Sequence, residues 1–140
     1  MKRPAFWDTP NPTWQSLFLT PASLIYGIGR MLHVSFLKAG RTPVPLICVG
    51  NVTAGGAGKT PVALDLGIRL KKTGRAVHFL SRGYGGRTFG PERVAPDRHA
   101  AAEVGDEPLL LARIAPTWVA VDRLAGARIA ANEGAEVVIM

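Results

Sequence analysis

The feature that most restricts the fold is a glycine-rich loop between an apolar run and a helical pattern. Residues 50–61 read GNVTAGGAGKTP. The apolar run at 44–49 precedes the loop, and Val62, Leu66 and Leu70 recur after it at helical spacing. A strand, a glycine-rich loop and a helix in this order are typical of proteins that bind phosphate groups at the edge of a parallel sheet.

The loop matches the Walker A pattern, G-x-x-x-x-G-K-[ST], at its end only. Gly58-Lys59-Thr60 fits, but Thr53 stands where the pattern has its first glycine. The glycines let backbone amides turn toward phosphate oxygens, Lys59 reaches the β- and γ-phosphates, and Thr60 ligates Mg²⁺. A glycine-rich turn without a ligand is the alternative, and the flanking strand and helix disfavour it. The residues expected to bind the nucleotide are Thr53, Ala54, Gly55, Gly56, Ala57, Gly58, Lys59 and Thr60.

The rest of the chain alternates between strand and helix patterns. Strands are predicted at 44–49, 76–80, 117–121 and 136–140, with helices at about 59–73, 106–114 and 123–132. A long loop at 81–100 is predicted to hold a small hairpin around 93–95, and Cys48 is expected in the core. This alternation predicts an α/β fold of the P-loop NTPase type, a parallel sheet flanked by helices.

The first forty residues read differently from the remainder. A Pro- and Trp-rich lead-in is followed by a helix predicted over 20–39, with Thr20 as its cap and Pro21 in its first turn. The helix is about 28 Å long, nearly enough to span a bilayer, but Arg30 stands at its midpoint. An amphipathic helix lying at the membrane surface avoids burying that charge, and packing on the protein's own core is the alternative. We therefore predict two parts, a membrane-associating segment at 1–40 and an incomplete P-loop domain at 41–140.

The balance of charge narrows the classes of partner. The net charge is +7, and five of the basic residues precede the phosphate loop, against one acid. This favours an anionic partner such as a membrane surface, a phosphorylated substrate or a nucleic acid. A nucleic-acid module would interleave basic and aromatic residues on one face, whereas most aromatics here precede the loop. No nucleic-acid partner is expected.

Charged residues follow the predicted strands where a ligand of an open α/β sheet binds. The arginine–glycine loop, SRGYGG at 81–86, follows the second strand, and Arg123 follows the third. Both arginines suit phosphate contacts, although a solvated basic surface explains them equally well. Asp106 opens a predicted helix and is either its cap or the carboxylate that accepts a proton from a hydroxyl.

The last residues predict that the chain is a fragment of a longer protein. The apolar run at 136–140 is typical of the strand that ends in an acidic magnesium-binding residue in P-loop enzymes. No residue follows Met140 here. A sheet interrupted in this strand is also expected to leave an apolar edge open.

Three linked motifs resemble the tetraacyldisaccharide 4′-kinase family, the lipid A 4′-kinases of Gram-negative bacteria. They are VGNVTAGGAGKTP at 49–61, SRGYGG at 81–86 and EVGDEPL at 103–109. The resemblance covers nearly all of the chain, but about the first two-fifths of a typical member. It implies transfer of the γ-phosphate of ATP to the 4′-hydroxyl of tetraacyldisaccharide 1-phosphate, forming lipid IVA for lipopolysaccharide. The expected location is the cytoplasmic face of the inner membrane.

The resemblance also implies roles for individual residues. Asp106 would be the catalytic base, Glu107 its acidic neighbour, and Lys59 a catalytic contact to the triphosphate, with ATP and Mg²⁺ bound beside them. The residues expected near the acylated disaccharide phosphate are Arg82, Tyr84, Gly85, Glu107 and Arg123. The alternative function is a membrane-associated P-loop switch ATPase, which needs no acylated sugar.

Overall fold

A computed structural model describes residues 14–36, 40–50 and 58–140. The chain divides into two compact units, Met1–Gly40 and Arg41–Met140. Residues 1–13 of the lead-in, which the sequence predicts over 1–16, and most of the phosphate loop, 51–57, lie outside the described residues, so the predictions made for them stay predictions.

The first unit contains one long helix, α1, Trp14–Phe36. The predicted start at Thr20 is wrong, because helical structure extends back to Trp14 and passes through Pro21. Pro21 has no amide to donate, so one hydrogen bond of the helical series is missing there, and its ring crowds the carbonyl four residues earlier. The Ser23 hydroxyl donates to the Thr20 carbonyl at 2.8 Å, within the same turn.

The side chains of α1 described in the structure are exposed along its whole length. They include large apolar groups such as Phe18 and Phe36, each 83% exposed. Leu17–Phe36 is long and apolar enough to cross a membrane by length and composition, with a mean hydropathy of 1.2. This is weak evidence for membrane contact, because signal sequences pass the same test.

The second unit is a five-stranded sheet with helices. Its elements in chain order are β1 Leu46–Ile47, α2 Lys59–Lys72, β2 Val77–Ser81, β3 Glu92–Arg93, α3 Ala101–Val104, α4 Asp106–Ala112, β4 Thr117–Val119, α5 Arg123–Asn132 and β5 Val137–Ile139. The strand order is β1-β5-β2-β4-β3. Neighbouring strands are parallel except for β3, which runs antiparallel to β4. The predicted α/β fold is confirmed.

The two faces of the sheet bury two different sets of side chains. Phe79 of β2 packs on one face with residues of α2 and α4, including Ala63 and Leu111. Its neighbour Leu80 packs on the opposite face with residues of α5, including Ala127. Successive side chains of a strand point to opposite faces. A strand covered on both sides is therefore buried at successive positions, as β2 is over residues 77–80.

Two of the helices that cover β2, α2 and α5, each place a glycine against it. A Cβ atom added to Gly67 of α2 would overlap the ring of Phe79, and one added to Gly126 of α5 would lie 2.7 Å from Leu80 Cδ1. Glycine at these two positions lets both helices pack closely on the sheet. Each helix begins after a parallel strand ends, so its first residues lie at the carboxyl edge of the sheet.

Several local predictions are wrong. β3 is an edge strand paired with β4 rather than part of a hairpin within 81–100. The short helix α3 was not predicted, since its four residues have no helical periodicity to detect. β5 lies between β1 and β2 and is buried, so the open edge belongs to β1 instead. On that edge Cys48 is exposed, because Ile47 and Val49 on either side take the inward-facing positions.

Gly67→Ala is expected to lower the free energy of unfolding by about 1–3 kcal/mol, the usual cost of overpacking a core. Phe79 is 0% exposed, so its ring has little room to move. Gly29→Ala is the matched control, because nothing lies within 4 Å of the added methyl group in α1. Denaturant unfolding of the two variants would contradict this packing if both unfold at the same concentration.

His78 is a buried titratable group on the α5 side of the sheet. It is 6% exposed, and its Nδ1 accepts a hydrogen bond from Trp118 Nε1 at 3.2 Å. Burial lowers the pKa of His78 below 6.5, and the positive charge of Arg93 lowers it further, against the opposing charge of Glu133. The folded protein therefore favours the neutral imidazole.

The stability of the fold should depend on pH through His78. Below about pH 6.5 the unfolded chain binds a proton that the folded protein resists, so the free energy of unfolding falls as the pH is lowered. Above that pH, His78 is neutral in both the folded and the unfolded protein, so it no longer lowers the free energy of unfolding. Denaturant unfolding between about pH 7.5 and about pH 5.5 should show a smaller decrease for His78→Gln than for the parent. An identical decrease in both proteins would show that His78 does not carry this effect.

Candidate functional site

The start of α2 offers backbone donors at the carboxyl edge of the sheet. Gly58 is the N-cap in the left-handed conformation, with φ of 73°, and within the described residues no side chain caps this end. The first helical hydrogen bond runs from the Val62 amide to the Gly58 carbonyl at 3.3 Å. The amides before Val62 need no helical acceptor, and the positive end of the helix dipole lies with them. This end of α2 suits an anion.

The predicted nucleotide-binding residues divide between described and undescribed parts of the chain. Gly58, Lys59 and Thr60 lie at the start of α2. The remaining ones, Thr53, Ala54, Gly55, Gly56 and Ala57, lie within 51–57, outside the described residues, and their role remains a prediction.

A cavity of about 250 Å³ opens beside the start of α2. Its wall carries three cationic side chains, those of Lys59, Arg82 and Arg123, together with Tyr84 and Glu107. Five predicted site residues from four parts of the sequence thus meet at one place. Three cations and one carboxylate give the cavity a net positive charge, which suits a ligand with several negative charges.

The wall and floor of the cavity have different chemistry. Arg82 directly follows β2, and Arg123 begins α5 after β4, so both reach the cavity from the carboxyl ends of parallel strands. Buried apolar residues of β2 and β5, among them Phe79 and Ile139, line the cavity beneath them. An apolar floor strengthens the attraction between the cations and an anionic ligand, because less water screens it.

Thr60 and Glu107 are joined directly although they lie 47 residues apart. The Thr60 hydroxyl donates to Glu107 Oε1 at 2.9 Å, and the contact is partly buried. It connects the first turn of α2 to the first turn of α4. The sequence predicted both residues for the site but not this contact, since nothing in the local pattern links them.

Asp106 is the first residue of α4, and the N-cap is Gly105. Gly105 has φ of 90° and ψ of 158°, a conformation that essentially only glycine adopts. The prediction of Asp106 as a cap is therefore wrong. Its Oδ1 accepts the amide of Glu107 at 2.9 Å. Asp106 is exposed and lies next to Glu107, outside the cavity wall formed by the described residues.

Asp122 is the N-cap of α5, a position that aspartate favours. Its Oδ1 accepts the amides of Leu124 at 2.9 Å and Ala125 at 3.1 Å. This cap holds the first turn of α5 and leaves Arg123 at the first helical position, where it lines the cavity.

The arginine–glycine loop, residues 81–86, is held against the junction of α3 and α4. The amides of Arg87 and Thr88 both donate to the Glu103 carbonyl at 2.8 Å. A Cβ atom added to Gly86 would lie 2.8 Å from the Gly105 backbone nitrogen. The loop approaches this closely because Gly86 has no side chain.

With the loop held in this way, two of its residues predicted for the site are exposed to solvent. Tyr84, 90% exposed, stands at the cavity mouth. Gly85 is exposed with φ of 86° and is not part of the cavity wall described here.

The model of the family described as tetraacyldisaccharide-1-P 4′-kinase matches residues 15–140. The chain belongs to the tetraacyldisaccharide 4′-kinase family. A relative of that name from Rhodospirillum centenum is 56% identical over 143 residues, and one from Parvibaculum lavamentivorans is 52% identical over the same length. Each alignment covers all of this chain and 42% of the relative.

A crystal structure of LpxK from Aquifex aeolicus in complex with ATP has the same fold. The TM-score is 0.71 at 34% identity, over 86% of this chain and 42% of that one. The chain therefore spans less than half the length of these family members, in agreement with the expectation of a fragment.

Gly86→Ala is expected to displace the arginine–glycine loop, because the new methyl group would meet backbone atoms that cannot move cheaply. We expect faster tryptic cleavage at Arg82 or Arg87 and a loss of about 1–3 kcal/mol in stability. Thr88→Ala is the control, since the backbone donor to Glu103 is retained. Equal cleavage rates in the two variants would show that Gly86 does not hold the loop.

Proposed function

We propose that this chain carries the nucleotide-binding part of an ATP-dependent kinase of lipid A biosynthesis. The reaction is transfer of the γ-phosphate of ATP to the 4′-hydroxyl of tetraacyldisaccharide 1-phosphate, giving lipid IVA. The observation that carries the proposal is the cationic cavity formed by Lys59, Arg82 and Arg123 beside the start of α2, in a chain of this family.

The residues at the cavity fit a triphosphate and a magnesium ion. Lys59 and the first amides of α2 bind phosphate oxygens in this proposal, as in other P-loop proteins. The oxygens of Thr60 and Glu107 already lie 2.9 Å apart, and Mg²⁺ prefers such hard ligands while keeping several sites for water or phosphate. When bound, the ion neutralises negative charge on the phosphate oxygens.

Asp106 is the proposed base for the acceptor hydroxyl. It is exposed at the start of α4, beside the residue that contacts Thr60. Its Oδ1 accepts an amide, which orients the carboxylate and leaves Oδ2 to take the proton. Phosphoryl transfer through a loose transition state depends mainly on positioning and charge, so the reaction needs little base strength.

The acceptor is proposed to lie along the arginine–glycine loop. Arg82 and Arg123 suit its phosphate, because guanidinium groups pair with phosphate through two hydrogen bonds. Tyr84, almost fully exposed at the cavity mouth, offers a ring on which a sugar can pack. Because Gly85 has no side chain, the acceptor can come close to the backbone of the loop.

The first unit is proposed to bring the kinase to its acylated substrate at the cytoplasmic face of the inner membrane. The apolar side chains of α1 are exposed and would enter the lipid interface. Arg30 and His33, also exposed, keep the helix at the surface rather than across the bilayer. Each large apolar side chain contributes up to about 1.5–3 kcal/mol when buried, so apolar contact supplies most of the affinity.

The proposal predicts that Asp106→Ala lowers phosphate transfer by about 10²–10⁴-fold, the usual contribution of a general base. The assay follows labelled phosphate from ATP to tetraacyldisaccharide 1-phosphate with the complete gene product. Asp97→Ala is the matched control, because Asp97 is an exposed aspartate whose ion pair with Arg98 is long, at 3.9 Å. Residues 1–140 alone, run in parallel, are expected to be inactive.

Two results would contradict the proposal in different ways. Unlabelled lipid despite ATP binding and lipid-independent ATP turnover would favour the switch ATPase. Equal rates for Asp106→Ala and Asp97→Ala would remove Asp106 from the mechanism while leaving the kinase assignment in place.

A further inference from the structure

Ser81 is a polar residue of the cavity wall that has no part in the reaction proposed above. It is the last residue of β2 and the first of the arginine–glycine loop. It lines the cavity beside Lys59 and Arg82, and it is half-buried. Its hydroxyl group is therefore a further hydrogen-bonding group within reach of whatever the cavity holds.

The backbone of Ser81 is fixed by the neighbouring strand. Ser81 is the partner of Val119 in the parallel register of β2 and β4. Its carbonyl accepts the Ala120 amide at 3.0 Å. Val119 and Ala120 are both fully buried, so this end of β2 belongs to the packed part of the sheet. The Cβ atom of Ser81 is thus held at one point of the cavity wall.

The loop after β2 orients the Ser81 hydroxyl. Its Oγ accepts the Gly83 amide at 3.3 Å. A serine hydroxyl has one proton and two lone pairs, so accepting this amide uses a lone pair and leaves the proton. Within the part of the chain that the structure describes, no acceptor takes that proton. The proton points away from the Gly83 amide and is available to a ligand.

The charges around Ser81 favour an anionic acceptor for this proton. The cavity wall carries the positive charges of Lys59, Arg82 and Arg123 against the single negative charge of Glu107. Glu107 keeps that charge while its Oε1 accepts the Thr60 hydroxyl. An oxygen that binds among three cations is negatively charged, and a hydroxyl that donates to such an oxygen makes a strong, directional hydrogen bond.

We propose that the Ser81 hydroxyl donates a hydrogen bond to a phosphate oxygen of the ligand in the cavity. The inference rests on the proposed function for the identity of that ligand, because ATP and the acceptor both carry phosphate. Its physical basis is the same for either. The Gly83 amide holds Oγ in place before the ligand arrives, so little freedom is lost when the hydrogen bond forms.

The test measures equilibrium binding of Mg-ATP and of tetraacyldisaccharide 1-phosphate, each on its own, to the complete gene product. Ser81→Ala removes the hydroxyl, whereas Ser81→Thr keeps one on the same carbon atom. Thr73→Ala is the matched control, because it removes an exposed hydroxyl at the far end of α2, on the opposite edge of the sheet.

Ser81→Ala is expected to bind one of the two ligands about tenfold more weakly than the parent, since a hydrogen bond to a charged oxygen is lost. Ser81→Thr and Thr73→Ala are expected to bind both ligands as the parent does. Weaker binding of Mg-ATP would assign the Ser81 contact to the nucleotide, and weaker binding of the lipid would assign it to the acceptor.

Two binding results would overturn the proposal. Ser81→Ala with parental affinity for both ligands would show that the hydroxyl contacts neither. Equal weakening by Ser81→Ala and Ser81→Thr would show that the shape of the site matters and the hydroxyl does not.

Limited trypsin digestion tests whether Ser81 only holds the loop. The amides of Arg87 and Thr88 also hold this segment through the Glu103 carbonyl, at 2.8 Å. We therefore expect cleavage after Arg82 at the parental rate in Ser81→Ala. Faster cleavage together with weaker binding of both ligands would reduce Ser81 to a structural role.

Failure of the kinase proposal would be seen in a different measurement. The parent protein would then leave the lipid unlabelled, whereas the comparison of Ser81→Ala with the parent in Mg-ATP binding would still report on the hydroxyl.

Discussion

The geometry of the site depends on the burial of β2, whose residues 77–80 are buried on both faces of the sheet. Phe79 and Leu80 of this strand face opposite sides of the sheet and are both buried, and a helix packs on each side through a glycine. The two helices are therefore held close to the sheet in fixed positions. The start of α2, the arginine–glycine loop and the start of α5 consequently meet at one edge, where the cavity lies.

At that edge, hydrogen bonds join the segments that apolar packing brings together. The Thr60 hydroxyl joins the start of α2 to Glu107, while the Glu103 carbonyl receives two amides from the segment after the arginine–glycine loop. Asp122 holds the first turn of α5 beside them. Three cationic side chains converge without an ion pair among those described to neutralise them. Positive charge in such a place is expected to serve a ligand rather than stability.

Much of this arrangement could be predicted from the sequence, because its signals are local. The glycine-rich loop and the apolar runs predicted α2 and the parallel sheet. The position of β5 inside the sheet could not be predicted, since strand order depends on packing between distant segments. The same is true of the contact between Thr60 and Glu107. Gly105 took the cap position expected for Asp106 because the turn required a positive φ.

The double hydrogen bond to Glu103 has a consequence for protein engineering. The residues directly after the motif at 81–86 donate two amides to Glu103 of the motif at 103–109, and there is no space between the motifs for a methyl group at Gly86. They therefore behave as one structural cassette. A chimaera that exchanged only one of them between family members would combine two segments that do not fit each other. Grafting residues 81–109 as a block would keep all the contacts between them.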